Sequence, residues 1–298
     1  LNLFNFIYKN LNLLFFGFLI AFASGFGQTF FISLFSQDFR DTFELTNTEF
    51  GSLYSIATVL SAITIIWAGK LIDTVSLRKY TLAIILGLSI TCLMASFVFN
   101  VFFLFLVIYF LRLFGQGLMG HTSRTTMARY FNTNRGKALA ISGFGFSVGE
   151  IIYPAVVVFL LLTIGWRLTW FSSSIFILIF FGIFFYFIFK INNFKKENDR
   201  DEKIDLGEIS WRRRDVLKDF KFYMYLPLSL LMSFTVTGFL FHQVYIAEIK
   251  SWTLINLAQG FIFYAVSGIT GSIISGILID KLTGRKLIPF HLLPMLAI

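Results

Sequence analysis

Two ionisable side chains stand inside long apolar runs, where charge is costly. Arg112 sits in "FLRLFGQGLMGH" and Glu150 in "FSVGEIIYP". Ionisable groups inside a bilayer are either paired or placed along the path of a substrate or proton. Arg112 offers a fixed cation for an anion, and Glu150 offers a carboxyl that can pair with it or carry a proton. The same two residues could instead form a static pair that only fixes helix packing. Gln28, in "SGFGQTFF", places an amide after two glycines. Glycine there lets a helix bend or a ligand approach the backbone. His242 and Gln243 lie in "FLFHQVYI". A histidine titrates near neutrality, but His242 falls near the end of its run, where an interfacial role fits as well.

Other chemistry is missing its parts. Cys92 is the single cysteine, and His121, His242 and His291 have no ligand spacing. There is no clustered nucleophile, no pair of carboxylates at one depth and no phosphate-binding Gly-rich loop ending in Lys-Ser/Thr. No metal or cofactor is expected, and an enzyme is not the reading these residues favour.

The elements that position these groups follow from composition. The chain is 57% apolar and 19% aromatic with 41 Phe, but only 14% charged; mean hydropathy is +0.78. Soluble domains carry about 25% charged residues, so this is an all-α polytopic membrane protein. A bilayer core takes about 20 apolar residues as helix. Eight spans are predicted, roughly at 11–35, 50–70, 80–99, 101–121, 137–163, 168–190, 222–247 and 254–279. A ninth begins near Leu287. The chain begins with Leu and stops in an apolar run, so it reads as a piece of a longer protein. No cleavable signal is evident. At about 1.5 Å per residue, Arg112 and Glu150 both fall near the middle of a core about 30 Å thick.

Lys and Arg set the orientation. Lys70, Arg78 and Lys79 follow span 2; Arg124, Arg129, Arg135 and Lys137 lie between spans 4 and 5; Lys281, Arg285 and Lys286 follow span 8. The opposite connections hold only Arg40, Arg167 and Lys250. The N-terminus is therefore expected in the cytoplasm, with the protein in the inner (plasma) membrane. The net charge of +9 is explained by these loops and needs no nucleic acid. Trp166, Trp170 and Trp252 are expected at the outer interface, and the many Phe mostly against lipid. Residues 191–219 carry dense charge of both signs. They read as a cytoplasmic linker, part of it a basic surface helix or simply solvated chain. They divide a six-span half at 1–190 from an incomplete second half at 220–298.

One charged phrase occurs twice, as "GKLIDTVSLRKY" from Gly69 and "GILIDKLTGRKL" from Gly276. Gly69, Asp73, Arg78 and Lys79 recur as Gly276, Asp280, Arg285 and Lys286. Each copy follows the second span of its half. This is a parallel six-plus-six duplication, a layout known among transporters.

With these residues the sequence resembles the major facilitator superfamily, whose loop after helix 2 reads Gly-x-Leu-x-Asp followed by basic residues. The first copy lacks the usual glycine before the basic pair, and both copies have one extra residue between Asp and Arg. Arg112, Gln116 and Gly117 resemble the family's intramembrane Arg motif on helix 4, each shifted one place after the Arg. "GWR" at 165–167 resembles the outer turn of its monocarboxylate-transporter-like and oxalate–formate-antiporter-like branches. Glu150 stands where the antiporter signature of helix 5 has Pro.

The resemblance implies a twelve-helix fold with a central cavity lined by helices 1, 4, 7 and 10, facing Gln28 and Arg112 together. It implies that helices 5 and 8 meet, with Gly145/Gly149 and the Gly268/Ser272/Gly276 row as a sliding seam. It makes the repeated phrase a cytoplasmic latch, in which Asp73 and Arg78 hold one state and the Asp280 copy faces helix 5. The implied function is a monomeric secondary transporter for a small organic anion, driven by a proton or substrate gradient. Efflux of hydrophobic or cationic compounds, with Glu150 exchanging protons, stays open, as does a non-transporting scaffold.

Overall fold

A computed structural model describes residues 3–131, 134–191 and 213–282. A short helix, α1 (Leu3–Lys9), leads into span 1, which is α2 (Leu11–Ala23), a 3-10 turn Ser24–Gly27, α3 (Thr29–Ile32), a second 3-10 turn and α4 (Ser36–Phe43). The parts before and after Gln28 are bent by 41°, so the run predicted over 11–35 is a broken helix. Span 2 is α5 (Asn47–Ala68), followed by the short α6 (Leu71–Thr74), and span 3 is α7 (Leu77–Ser96). Span 4 joins α8 (Val101–Phe110), a π-helical stretch Leu111–Met119 and α9 (Gly120–Tyr130). It runs nine residues past the predicted end.

Spans 5 and 6 occupy α10 (Arg135–Phe176), a π turn Ile177–Phe181 and α11 (Gly182–Ile191). They separate at Gly165, whose φ of +75° is a left-handed conformation that glycine adopts without Cβ strain. Then follow α12 (Arg213–Lys218), α13 (Phe220–Ile249) as span 7 and α14 (Leu254–Leu282) as span 8. Five of these helices are long and apolar enough to cross a membrane, six if the bent pair of span 1 counts as one. Helix dominates because a spanning chain must satisfy its backbone polar groups internally.

Local residues start the helices. Thr46 caps α5 by accepting from the Glu49 amide at 3.2 Å, while Glu49 accepts from the Thr46 amide at 2.8 Å, a reciprocal box that satisfies two free donors. Asn100 caps α8 through the Phe103 amide at 2.7 Å. Asp219 caps α13 through the Lys221 amide at 2.9 Å.

The core corrects two expectations. Trp170 is fully buried, 5.4 Å from the Phe31 ring and 4.6 Å from Phe35, and so does not sit in an outer aromatic belt. Trp252 is exposed. Phe16, Phe31, Phe35, Phe39, Phe50 and Phe181 are also fully buried. Some of these rings meet edge to face between helices, as Phe16 with Phe185 and Phe39 with Trp166, where aromatic pairs gain about 0.5–1.5 kcal/mol beyond area burial. Among the described residues phenylalanine is thus divided between interior packing and exposed positions such as Phe99, Phe102 and Phe159.

The seam on span 5 is also corrected. A Cβ added at Gly145 would lie 2.2 Å from the Phe18 carbonyl oxygen, so Gly145 packs against span 1. At Gly268 and Gly271 a Cβ would meet nothing within 4 Å. Small residues permit close backbone approach, but here span 1 makes that approach. Helices α10 and α14 are nonetheless in contact.

The linker segment 192–212, Arg285, Lys286 and the start of a ninth span lie outside the described residues. Gly276 and Asp280 fall on α14, and their side-chain contacts also lie outside what is described.

Candidate functional site

Two departures from α-helical geometry face each other at the crossing of spans 1 and 4. Gln28 is extended (φ −80°, ψ 154°) between the 3-10 turn and α3, and Leu111–Met119 is π-helical. A Cβ at Gly27 would lie 2.1 Å from the Leu111 carbonyl oxygen and 2.7 Å from the Gln116 amide nitrogen. A Cβ at Gly115 would lie 2.6 Å from the Gly27 Cα. The backbones touch, which only glycine allows. π turns inside helices are rare and are often found at functional sites.

Arg112 is the second residue of the π stretch and is 5% exposed. Its Nη1 donates to Thr29 Oγ1 at 3.1 Å and to the Gly27 carbonyl at 3.4 Å. The guanidinium lies over the Tyr54 ring, 5.3 Å from its centroid, an attractive placement for a desolvated cation. The Tyr54 hydroxyl donates to the same Thr29 Oγ1 at 3.0 Å. Arg112 Nε and Gln116 Oε1 are buried without a hydrogen-bond partner among the described residues. A buried cation held by neutral groups alone leaves much of its desolvation unanswered.

The expected Arg112–Glu150 ion pair is not formed among the described residues, where Arg40–Glu248 and Asp73–Arg129 do pair. The reason is the break in span 1, which presents oxygen acceptors to Arg112. Glu150 lies on span 5 within electrostatic reach of Tyr264 on α14. It has no hydrogen bond or ion pair among the described residues. Thr29 and Tyr54 were missed in the sequence; the one signal was the position of Thr29 directly after Gln28.

The remaining candidates divide. Gln28 Nε2 reaches only Ser24 Oγ, at 3.5 Å within its own span. His242 is exposed, its ring edge-on to Phe241 at 4.9 Å. Gln243 is buried and bonded to span 1, with Nε2 donating to the Phe30 carbonyl at 2.9 Å and to Ser33 Oγ at 2.6 Å. At the other end of the spans, Asp73 pairs with Arg129 of α9, and Arg129 also donates to the Ile72 carbonyl at 3.4 Å. Arg78 instead lies over the Tyr186 ring at 5.5 Å, and Lys79 is exposed. Gly69 is buried, and a Cβ there would lie 2.7 Å from the Ile65 carbonyl oxygen. A cavity of about 260 Å³ beside this pair is lined by Gly69, Lys70, Asp73, His121 and Arg129.

Chemically, the arrangement offers a buried cation anchored on a broken helix and, separately, a carboxyl with no cationic partner among the described residues. Among the described residues no group of His, Cys, Asp and Glu is placed to hold a metal.

No curated protein matches the sequence. Solved structures do match in fold. One is a bacterial homologue of the human lysosomal transporter Spinster in an inward-facing, unoccupied conformation. It has TM-score 0.66 and 17% identity, over 92% of this chain and 63% of that one. The inward-facing, occupied conformation of such a homologue matches with TM-score 0.61 and 17% identity, over 93% and 62%. The chain therefore spans less than two thirds of the length of these structures. The family model described as Major Facilitator Superfamily matches residues 17–298. Together with the doubled loop phrase and the all-helical spans, this places the chain in the Major Facilitator Superfamily.

Proposed function

We propose that the protein is a secondary transporter that moves a small organic anion, such as a carboxylate, by alternating access between two six-helix halves. The carrying observation is Arg112: a buried cation, without a carboxylate partner among the described residues, held on the broken part of span 1. An anion that reaches it supplies the missing charge. Glu150 is the proposed proton carrier, because a carboxyl lacking a cationic partner changes protonation at lower cost than a salt-bridged one. Moving one charge through 100 mV is worth about 2.3 kcal/mol, enough to drive a gradient nearly fiftyfold.

The halves are taken as 1–190 and 220–298, joined by a linker at 191–219. The N-terminus is cytoplasmic in this proposal, the working unit is a monomer in the inner (plasma) membrane, and Gln28 and Gln116 flank the anion. The Asp73–Arg129 pair supports a latch at the cytoplasmic end.

Uptake of labelled carboxylates into proteoliposomes by the full-length protein tests the proposal. Arg112→Lys should abolish uptake, and Glu150→Gln should remove its dependence on a pH gradient. If both variants transport like the parent at equal incorporation, the proposal fails. A second reading, export of hydrophobic or cationic compounds, is favoured by Glu150 alone. In that case Glu150→Gln abolishes transport of lipophilic cations while Arg112→Lys changes only stability.

A further inference from the structure

The outer ends of span 1 and span 7 are tied by a polar knot buried between apolar rings. Gln243 on α13 donates to the Phe30 carbonyl and to Ser33 Oγ. Ser33 Oγ in turn donates back to the Leu240 carbonyl at 2.7 Å. Gln243 is 3% exposed and Ser33 fully buried. Phe241, between Leu240 and Gln243 in sequence, packs on span 2, with ring centroids 4.7 Å from Tyr54 and 5.7 Å from Phe50. Beyond it, Arg40 and Glu248 pair at 2.7 Å. Every one of these contacts joins the first half of the chain to the second.

The knot and the Arg112 site grip the same piece of backbone. Helix α3 is four residues long and follows directly on the extended Gln28. Arg112 and Tyr54 hold its first residue, Thr29, and Gln243 holds the carbonyl of the next, Phe30. Tyr54 also contributes to both sides, through its hydroxyl on Thr29 and its ring on Phe241. A segment this short, hinged at a non-helical residue, moves as one body. Drawing Arg112 away from Thr29 therefore alters the seat of Gln243.

We propose that Gln243 is a positioning residue that couples the outer closure of the two halves to the Arg112 site through α3. The coupling runs both ways: loosening either end favours opening at the outer face. This rests on Arg112 being the site of the transported anion for its physiological meaning, but the physical coupling can be measured without any substrate.

Spin labels at the exposed outer positions Thr42 and Lys250 of the full-length protein report the separation of the two halves by pulsed dipolar spectroscopy. Gln243→Leu removes two hydrogen bonds across the seam and should raise the ratio of open to closed populations about tenfold, equivalent to 1.4 kcal/mol. Arg112→Gln should shift it in the same direction. The double variant should fall well short of the product of the two shifts, since both act on one element. If Gln243→Leu is not recovered folded, Ser33→Ala also removes two bonds of the same knot, those to Gln243 and to the Leu240 carbonyl, and should give a shift of the same sign. An unchanged distance distribution in Gln243→Leu or Ser33→Ala overturns the proposal, as do shifts that multiply in the double variant. Failure of Arg112→Lys to affect carboxylate uptake would sink the anion site while leaving this measurement intact.

Discussion

Gly27→Ala is the smallest change that tests the crossing of spans 1 and 4. The new Cβ would sit 2.1 Å from the Leu111 carbonyl oxygen, with the Gln116 amide nitrogen and the Gly115 Cα both at 2.7 Å. All three obstacles are backbone, so no side chain can turn aside. Reaching ordinary contact requires the two spans to separate by about 1 Å. Overpacking of this kind costs about 1–3 kcal/mol. Separation also stretches the Arg112 bond to the Gly27 carbonyl, already 3.4 Å long, and a hydrogen bond is worth about 0.5–1.5 kcal/mol. The combined loss is about 2–4 kcal/mol. Gly143→Ala is the control, since a Cβ there meets nothing within 4 Å, and in a helix the change is neutral or slightly stabilising. Thermal unfolding in detergent at one fixed scan rate should place Gly27→Ala clearly below the parent, and Gly143→Ala level with it or above. Equal midpoints for the two variants would refute the close crossing and with it the seating of Arg112.

Tyr54→Phe keeps the ring over Arg112 but removes the hydroxyl bond to Thr29; it should lower stability by about 0.5–1.5 kcal/mol, whereas Tyr54→Leu should lose a further 0.5–2 kcal/mol or so of cation–π attraction, both read from unfolding midpoints. The Arg40–Glu248 pair is partly exposed, at 13% and 30% of the side chains. A double-mutant cycle on the spin-label distances should therefore give a coupling of only about 0.2–1 kcal/mol, shrinking as salt is raised, and a larger salt-independent value would mean the pair is more deeply buried than described. Ser89 and Ser174 exchange bonds across spans 3 and 6, each hydroxyl donating to the other's carbonyl at 3.0 and 2.8 Å. The two hydroxyl oxygens also lie 3.1 Å apart, so replacing both with Ala should cost less than the sum of the single replacements, because either single replacement already loses that shared contact; additive losses would show the two serines to be independent.

The sequence by itself determined the membrane class, the all-helical architecture and the family. Those are written in composition and in run length, because a bilayer leaves a spanning chain no alternative to long apolar helices. The doubled Gly-Leu-Ile-Asp-Arg-Lys phrase also pointed to the family, since a charged phrase written twice is a one-dimensional pattern. Arg112 and Glu150 were legible as exceptional for the same reason: a lone charge in an apolar run needs no coordinates to be noticed.

Which group each of them meets was not legible. The choice of Thr29 and Gly27 over Glu150 as partners of Arg112 depends on a bend after Gly27 and a widened turn in span 4, and neither has a distinctive residue signature. The glycine pair on span 5 carried its small-residue spacing in the sequence, but not the helix it admits, which is span 1. Gln243 stood in the sequence as a polar neighbour of His242 until the fold brought it, more than two hundred positions away in sequence, onto the Phe30 carbonyl. Hydrophobic period and charge give each helix its depth and direction. Rotation about its axis and close neighbours are settled by steric fit between surfaces distant in sequence, and only the tertiary structure decides that.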